Sequence, residues 1–381
     1  MVVMLNKSFL LLSFFLLFGK LDAKTQIIQK SAQKIKSYKN LSYRDIVCTK
    51  FNFQDDFSAD TLSSKLLIKS KEPFAEGCYL IKGRSNSYAF DGNKLVNLKL
   101  TDSTYTVEKE SVEGQNTRSL LFWANDMEKL SKMPARKINQ LRDTLINNTY
   151  YTNILITVSD TIIDSKRQYL ATNFIIDKNS NLPIHIIRKM QGNAGDGSNF
   201  QFLETHSYSD YRFDIKDFPD LTLAIIPANF RVPPKSIPVV FLPNGTPAPS
   251  IKAFDLHGEA FDLEKLKGKP VLINFSLIGC PHCVGAAQML NRLNEKYKES
   301  GLVIVNIYPL DQKDAIIRFD SRENVKTLSL TSDRAVQRAY PFDGYPSFYL
   351  LDKNGSVAQS YKGFYKDLEF ALNEKIDSIV K

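Results

Sequence analysis

Apolar positions along the first half of the chain follow two spacings in turn. Ile27, Ile28, Ala32 and Ile35 recur at helical intervals, which predicts a helix over Thr25–Tyr38. Short strand-like runs come next: Leu66-Leu67-Ile68, Cys78-Tyr79-Leu80-Ile81, Ser87-Tyr88-Ala89-Phe90 and Lys94 to Leu100. The last two flank Asp91-Gly92-Asn93, a good hairpin turn because Gly tolerates positive φ. A helical stretch is expected from about Arg118 to Asn147, broken near Pro134. Strands resume at Asn153–Val158, Tyr169–Ile176 and Ile184–Arg188. Together these predict a large, mainly antiparallel α+β domain over residues 24 to 228, one sheet with a helix or two against it.

The spacing changes again after a boundary. Seven of the 16 prolines fall between Pro227 and Pro249, where they stiffen extended backbone. Residues 229–248 are therefore expected to link the first domain to a second, 249–381. There, strands alternate with helices. Val271–Ser276 reads as a buried strand and Pro281–Ser300 as a helix stopped by Gly301. Leu302–Tyr308 is the next strand, with helices expected near Ala315–Phe319 and Asp333–Tyr340. Pro346–Leu351 leads through Asp352-Lys353-Asn354-Gly355 into a last strand, and Leu368–Val380 closes as a helix. That alternation predicts an α/β layer with parallel strand pairs.

Composition adds limits. With 43% hydrophobic and 24% charged residues, the chain is globular, and 381 residues exceed one ordinary core. The net charge of +9 is spread along the chain, without the basic block that nucleic-acid binding asks for. Lys7 followed by the apolar run Ser8–Phe18 reads as a signal peptide over 1–23, cleaved after Ala23 or kept as an anchor. The protein is accordingly expected in the periplasm or cell envelope. An exported chain can keep disulfides, and four cysteines allow three pairings. Proximity couples Cys280 with Cys283 and leaves Cys48 and Cys78 as a candidate structural bridge.

Cys280-Pro281-His282-Cys283 follows a strand and opens a helix, the context of a redox pair rather than of zinc ligands. Pro281 suits the first helical position, where its missing N–H costs nothing. The helix N-terminus and His282 both favour a thiolate at Cys280. Cys280 is expected to be the exposed attacking thiolate, and Cys283, one turn inside, the resolving thiol. No cofactor is called for, and no metal site is expected.

Residues about 245 to 381 resemble the TlpA/ResA-type envelope thioredoxins. The likeness rests on Thr246-Pro247-Ala248-Pro249, Leu263–Lys269, the strand into Cys280–Cys283, and Gly344-Tyr345-Pro346-Ser347-Phe348 before Leu351–Gly355. It implies a thioredoxin-like fold and a thiol–disulfide oxidoreductase acting on disulfide-bearing client proteins with an upstream redox partner. It also implies that Pro346 is a cis-proline facing the cysteines, with Gly344 and Tyr345 presenting backbone to the client. Pro281-His282 resembles the dipeptide of the oxidase DsbA. Gly279 stands where a Trp is usual, Ala286 where many members carry Glu, and Asn274 where thioredoxin has a buried Asp. A carboxylate that ferries a proton to or from Cys283 is thus not visible. Residues 24 to 228 resemble, at pattern level, LolA-like half-barrel domains, which implies an apolar ligand or a docking role. Rival readings are a thiol peroxidase of peroxiredoxin type, disfavoured by Ile273 and Leu277, a copper or metal-delivery module, and an apolar-ligand carrier.

Overall fold

The computed structural model describes residues 22–68, 77–108, 118–163, 165–193, 199–235 and 238–380. The export segment expected over 1–23 lies outside them except for its last two residues. Helix α1 (Ala23–Lys36) buries Ile28, Ala32 and Ile35, an i, i+4, i+7 stripe. It packs with α2 (Leu120–Ser131) on one face of a single antiparallel sheet.

That sheet holds β1 (Asn40–Phe51), β2 (Ser58–Ile68), β3 (Gly77–Lys82), β4 (Asn86–Phe90), β5 (Leu95–Lys99) and β6 (Thr104–Glu108). Its second part is β7 (Ile138–Gln140), β8 (Thr144–Ile146), β9 (Thr149–Ile163), β10 (Lys166–Ile176), β11 (Pro183–Asn193) and β12 (Asn199–Phe213). The strand order is β6-β5-β4-β3-β2-β1-β12-β11-β10-β9-β7, with β8 also on β9. The chain thus returns from β12 to pair its last strand with its first.

Two expectations, the first and third below, are corrected here, and one feature, the second, was not anticipated. The helical stretch stops at Ser131, and the rest of 118–147 forms a 3-10 turn, Ala135–Lys137, and two short strands. Ile138 gains a cross-strand partner, Ile156, that a continued helix would not offer. Second, β1 and β12 carry inward polar residues that break the apolar alternation. Asp45 and His206 are fully buried, and His206 Nδ1 meets Asp45 Oδ2 at 2.7 Å. That hydrogen bond offsets part of the cost of burying the two groups. Third, Cys48 and Cys78 are free thiols. Cys48 pairs with Ala59 and Cys78 with Leu67 on the intervening β2, 67 − 59 = 8 residues apart. At ~3.3 Å per residue the two sites are ~26 Å apart along the strand, far beyond the ~7 Å limit for a bridge.

The second sheet has β13 (Ala253–Asp255), β14 (Val271–Phe275), β15 (Val303–Tyr308), β16 (Leu328–Ser332), β17 (Ser347–Leu351) and β18 (Val357–Lys362). Its order is β13-β16-β15-β14-β17-β18, with β14, β15 and β16 parallel and β17 antiparallel to β14. Helices α3 (Pro281–Tyr297) and α6 (Leu368–Val380) cover one face through Leu290, Leu293, Leu372 and Ile376. Helix α4 (Lys313–Glu323) packs beside α3 through Ile316 and Phe319, and α5 (Val336–Ala339) lies on the opposite face. This is the thioredoxin-like α/β fold. The proline-rich segment is held to both halves. Arg231 exchanges backbone hydrogen bonds with Ser103 and Tyr105, and Phe241 and Leu242 pack on the second core. Among the described residues no helix is long and apolar enough to cross a membrane.

Candidate active site

Strand β14 is buried throughout and ends at Phe275, so the chain leaves the sheet at the C-terminal end of this interior strand. Ser276 N–H still donates to the Ile307 carbonyl, and the chain then turns through Leu277-Ile278-Gly279. Asp311, in the β15–α4 loop, accepts the Ile278 N–H at 3.1 Å and pins this turn. Gly279 has φ +86°, a conformation that favours glycine. Cys280 is the N-cap of α3 and Pro281 its first residue. The Cys283 and Val284 N–H groups donate to the Cys280 carbonyl at 3.1 and 3.3 Å.

The two thiols differ sharply. Cys280 is partly exposed and its pKa falls to about 6. The largest cause is the hydrogen bond from the Cys283 thiol. Burial opposes it, and the N–H groups of Cys283 and His282 and the His282 charge add to it. Cys283 is 1% exposed. Burial first, then the neighbouring Cys280, push its thiol well above the ordinary range.

Across the cleft the Tyr345–Pro346 peptide is cis, and Gly344 before it has φ +87°. Cys280 Sγ donates to the Tyr345 carbonyl at 3.5 Å. Pro346 is buried, His282 exposed. The structure therefore brings Cys280, Pro281, His282, Cys283, Gly344, Tyr345 and Pro346 to one place and leaves Cys48 and Cys78 in the other sheet. Ala286 is buried, and the side chain of buried Asn274 donates to Asn306 at 2.9 Å.

Sequence reasoning missed the polar groups behind the pair. The Ser276 hydroxyl lies beside the Cys283 thiol, and the Ser276 and Ser329 hydroxyls lie beside the buried Tyr308 hydroxyl. Ser329 in turn approaches the Asp320 carboxyl, whose pKa burial lifts to about 6. Among the described residues Ser329 Oγ and Asp320 Oδ1 each lack a hydrogen-bond partner, so these groups are near neighbours rather than a closed chain. The signal was present: Asp320 follows the inward Ile316 and Phe319 at helical spacing, a carboxylate on an apolar stripe.

A thioredoxin-like α/β layer with a CxxC pair at a helix N-terminus, one thiol acidic and one buried, defines a thiol–disulfide oxidoreductase. The Redoxin family pattern matches residues 243–372. The thiol-disulfide oxidoreductase ResA of Bacillus thuringiensis is 30% identical over 120 residues, 31% of this chain and 69% of its own. The thioredoxin-like protein YneN of Bacillus subtilis is 26% identical over 140 residues, 36% of this chain and 81% of its own. A thiol:disulfide interchange protein of the thioredoxin family from Chlorobium tepidum is similar in structure, at 20% identity and a TM-score of 0.33, over 36% of this chain and 99% of that one. The chain belongs to the TlpA/ResA-type thioredoxin-like thiol–disulfide oxidoreductases.

Proposed function

We propose that this protein exchanges disulfides with client proteins in the cell envelope through Cys280 and Cys283. The observation that carries the reading is the asymmetry of the pair, a reachable thiol with pKa about 6 beside one that is 1% exposed. The Cys280 thiolate attacks a client disulfide, one client sulfur leaves as a thiolate, and a mixed disulfide forms. Cys283 then attacks Cys280 Sγ and expels the second client sulfur, so the client is reduced and the pair oxidised. The reverse sequence oxidises a client dithiol. Before attacking, Cys283 must lose a proton. The Ser276 hydroxyl stands beside that thiol, and the Asp320 carboxylate, beyond Tyr308 and Ser329, is the acceptor we assign to the proton once these neighbours close up.

An extended client segment pairs with the Tyr345 backbone beside Pro346. A Cys280 thiolate stabilised in the dithiol form makes the disulfide the stronger oxidant, so the couple is expected above the thioredoxin value of about −270 mV. The domain over 24–228 carries a client-docking or apolar-ligand role of LolA-like kind, joined by 229–248 to the redox domain over 249–381. The export run Ser8–Phe18 supports the envelope location. The test is trapping. Cys283→Ser should accumulate mixed disulfides through Cys280, and Cys280→Ser should accumulate none. Equal trapping by both variants would overturn the assignment.

A further inference from the structure

The antiparallel half does not stand apart from the cysteines. Its β1–β2 turn, residues 52–57, reaches α4 and the loop before Cys280. Asp55 accepts from Arg318 Nε at 2.8 Å through one carboxylate oxygen and from Arg322 Nη1 at 2.7 Å through the other. Arg322 also donates to the Phe53 carbonyl. Phe53 is 1% exposed and stacks on Phe51. The paired arginines hold the Asp55 carboxyl below the usual range, with Arg318 the larger cause.

This clamp sets the residue between Phe53 and Asp55. Gln54 lies against Gly279: a Cβ built there would meet Gln54 Nε2 at 3.8 Å and Cγ at 3.9 Å, and no other side chain within 4 Å. Gln54 Oε1 accepts the Phe51 N–H at 2.9 Å. The amide is thereby fixed with its NH2 group toward the active-site loop. Among the described residues that group has no acceptor.

We propose that Gln54 is a positioning residue of the exchange site, donating a hydrogen bond from the antiparallel domain to a backbone carbonyl of the client segment as it reaches Cys280 across Gly279. The inference rests on the exchange reading above. It gives the first domain a share in client choice. A disulfide held in a peptide segment offers the carbonyl that Gln54 needs, and a disulfide without one does not. The turn also lies at van der Waals distance from position 279, so the site has one wall from each half of the chain. The clamp is partly exposed, yet one carboxylate bridging two guanidinium groups is the geometry in which surface pairs matter.

The experiment uses the full chain in reduced form. Second-order rates of mixed-disulfide formation are measured with a disulfide-looped peptide and with bis(2-hydroxyethyl) disulfide, which has no carbonyl. The peptide-to-small-molecule ratio should fall about fivefold in Gln54→Ala, the worth of one neutral hydrogen bond. It should fall at least as far in Gln54→Glu, where donor becomes acceptor, and in Asp55→Ala, where the clamp is released. The alkylation midpoint of Cys280 should stay at its wild-type value. A ratio within twofold of wild type in both Gln54 variants overturns the proposal, as does a loss of ratio that tracks a moved midpoint. Wild-type protein that forms no mixed disulfide with either compound would instead overturn the exchange reading itself.

Discussion

At Cys280 the lowered pKa draws on several donors, and their order makes a prediction. The Cys283 thiol contributes most and the His282 charge least among the named causes. Alkylation rate against pH should give a midpoint near 6 in the wild type. Cys283→Ala should raise that midpoint further than His282→Ala does, and the reverse order would show that charge rather than the thiol bond governs the site. A second prediction follows from Asp320. Its carboxyl, lifted to about 6 by burial, accepts a proton above that pH and cannot below it. Release of a client thiol from the Cys280 mixed disulfide should therefore slow as pH falls through about 6. Asp320→Asn should lose this inflection and run about tenfold slower at pH 8, the low side of general acid–base contributions. An unchanged profile in Asp320→Asn would remove Asp320 from the path.

At the scale of elements, α3 joins the site to the core and one position in it is crowded. A Cβ at Gly285 would meet the Phe364 ring at 2.5 Å. Alanine would gain about 1 kcal/mol in helix propensity. Overpacking costs about 1–3 kcal/mol and falls on a ring packed against the α3–α6 core. Gly285→Ala should thus destabilise the chain by about 1 kcal/mol in denaturant titration, and a stabilised variant would show that the ring yields freely. This helix was legible in the sequence because its apolar stripe, Pro281 and the stop at Gly301 all agree. The same holds for β14 and the Tyr345-Pro346 corner. Strands β1 and β12 were not legible, since Asp45, Glu204 and His206 occupy inward positions that periodicity reserves for apolar residues. Strands β7 and β8 were read as helix because each is only three residues long and becomes extended only by pairing with the first half of β9. The cluster of Ser276, Tyr308, Ser329 and Asp320 was hidden for a related reason. Its members come from β14's end, β15, β16 and α4, and only the parallel register aligns them.

Across the whole molecule the two sheets keep separate cores. The first gathers around Trp123, Phe174 and Tyr208 and the second around Phe275, Tyr349 and Leu290, with no shared residue. Independent cores predict two calorimetric transitions rather than one. Only the second half carries the proposed redox pair, so reduction or oxidation should move only one of them. The pH dependence of that movement is fixed in sign. Cys280 is depressed to about 6 in the folded dithiol from an ordinary thiol near 8.5. A depressed pKa contributes stability that is fully present above the unfolded value and is lost as pH falls through the folded one. Cys283 is shifted the other way, and its penalty begins only above about 8.5, outside this window. Between about pH 6 and 8.5 the reduced form of the second transition should therefore gain Tm relative to the oxidised form as pH rises, and the first transition should show no such difference. Scanning calorimetry of reduced and oxidised protein at pH 5.5, 7 and 8.5 measures it. A reduced-minus-oxidised gap that is flat or shrinks toward high pH would contradict a thiolate stabilised at Cys280, and a redox shift in both transitions would mean that the Asp55 clamp couples the halves into one cooperative unit.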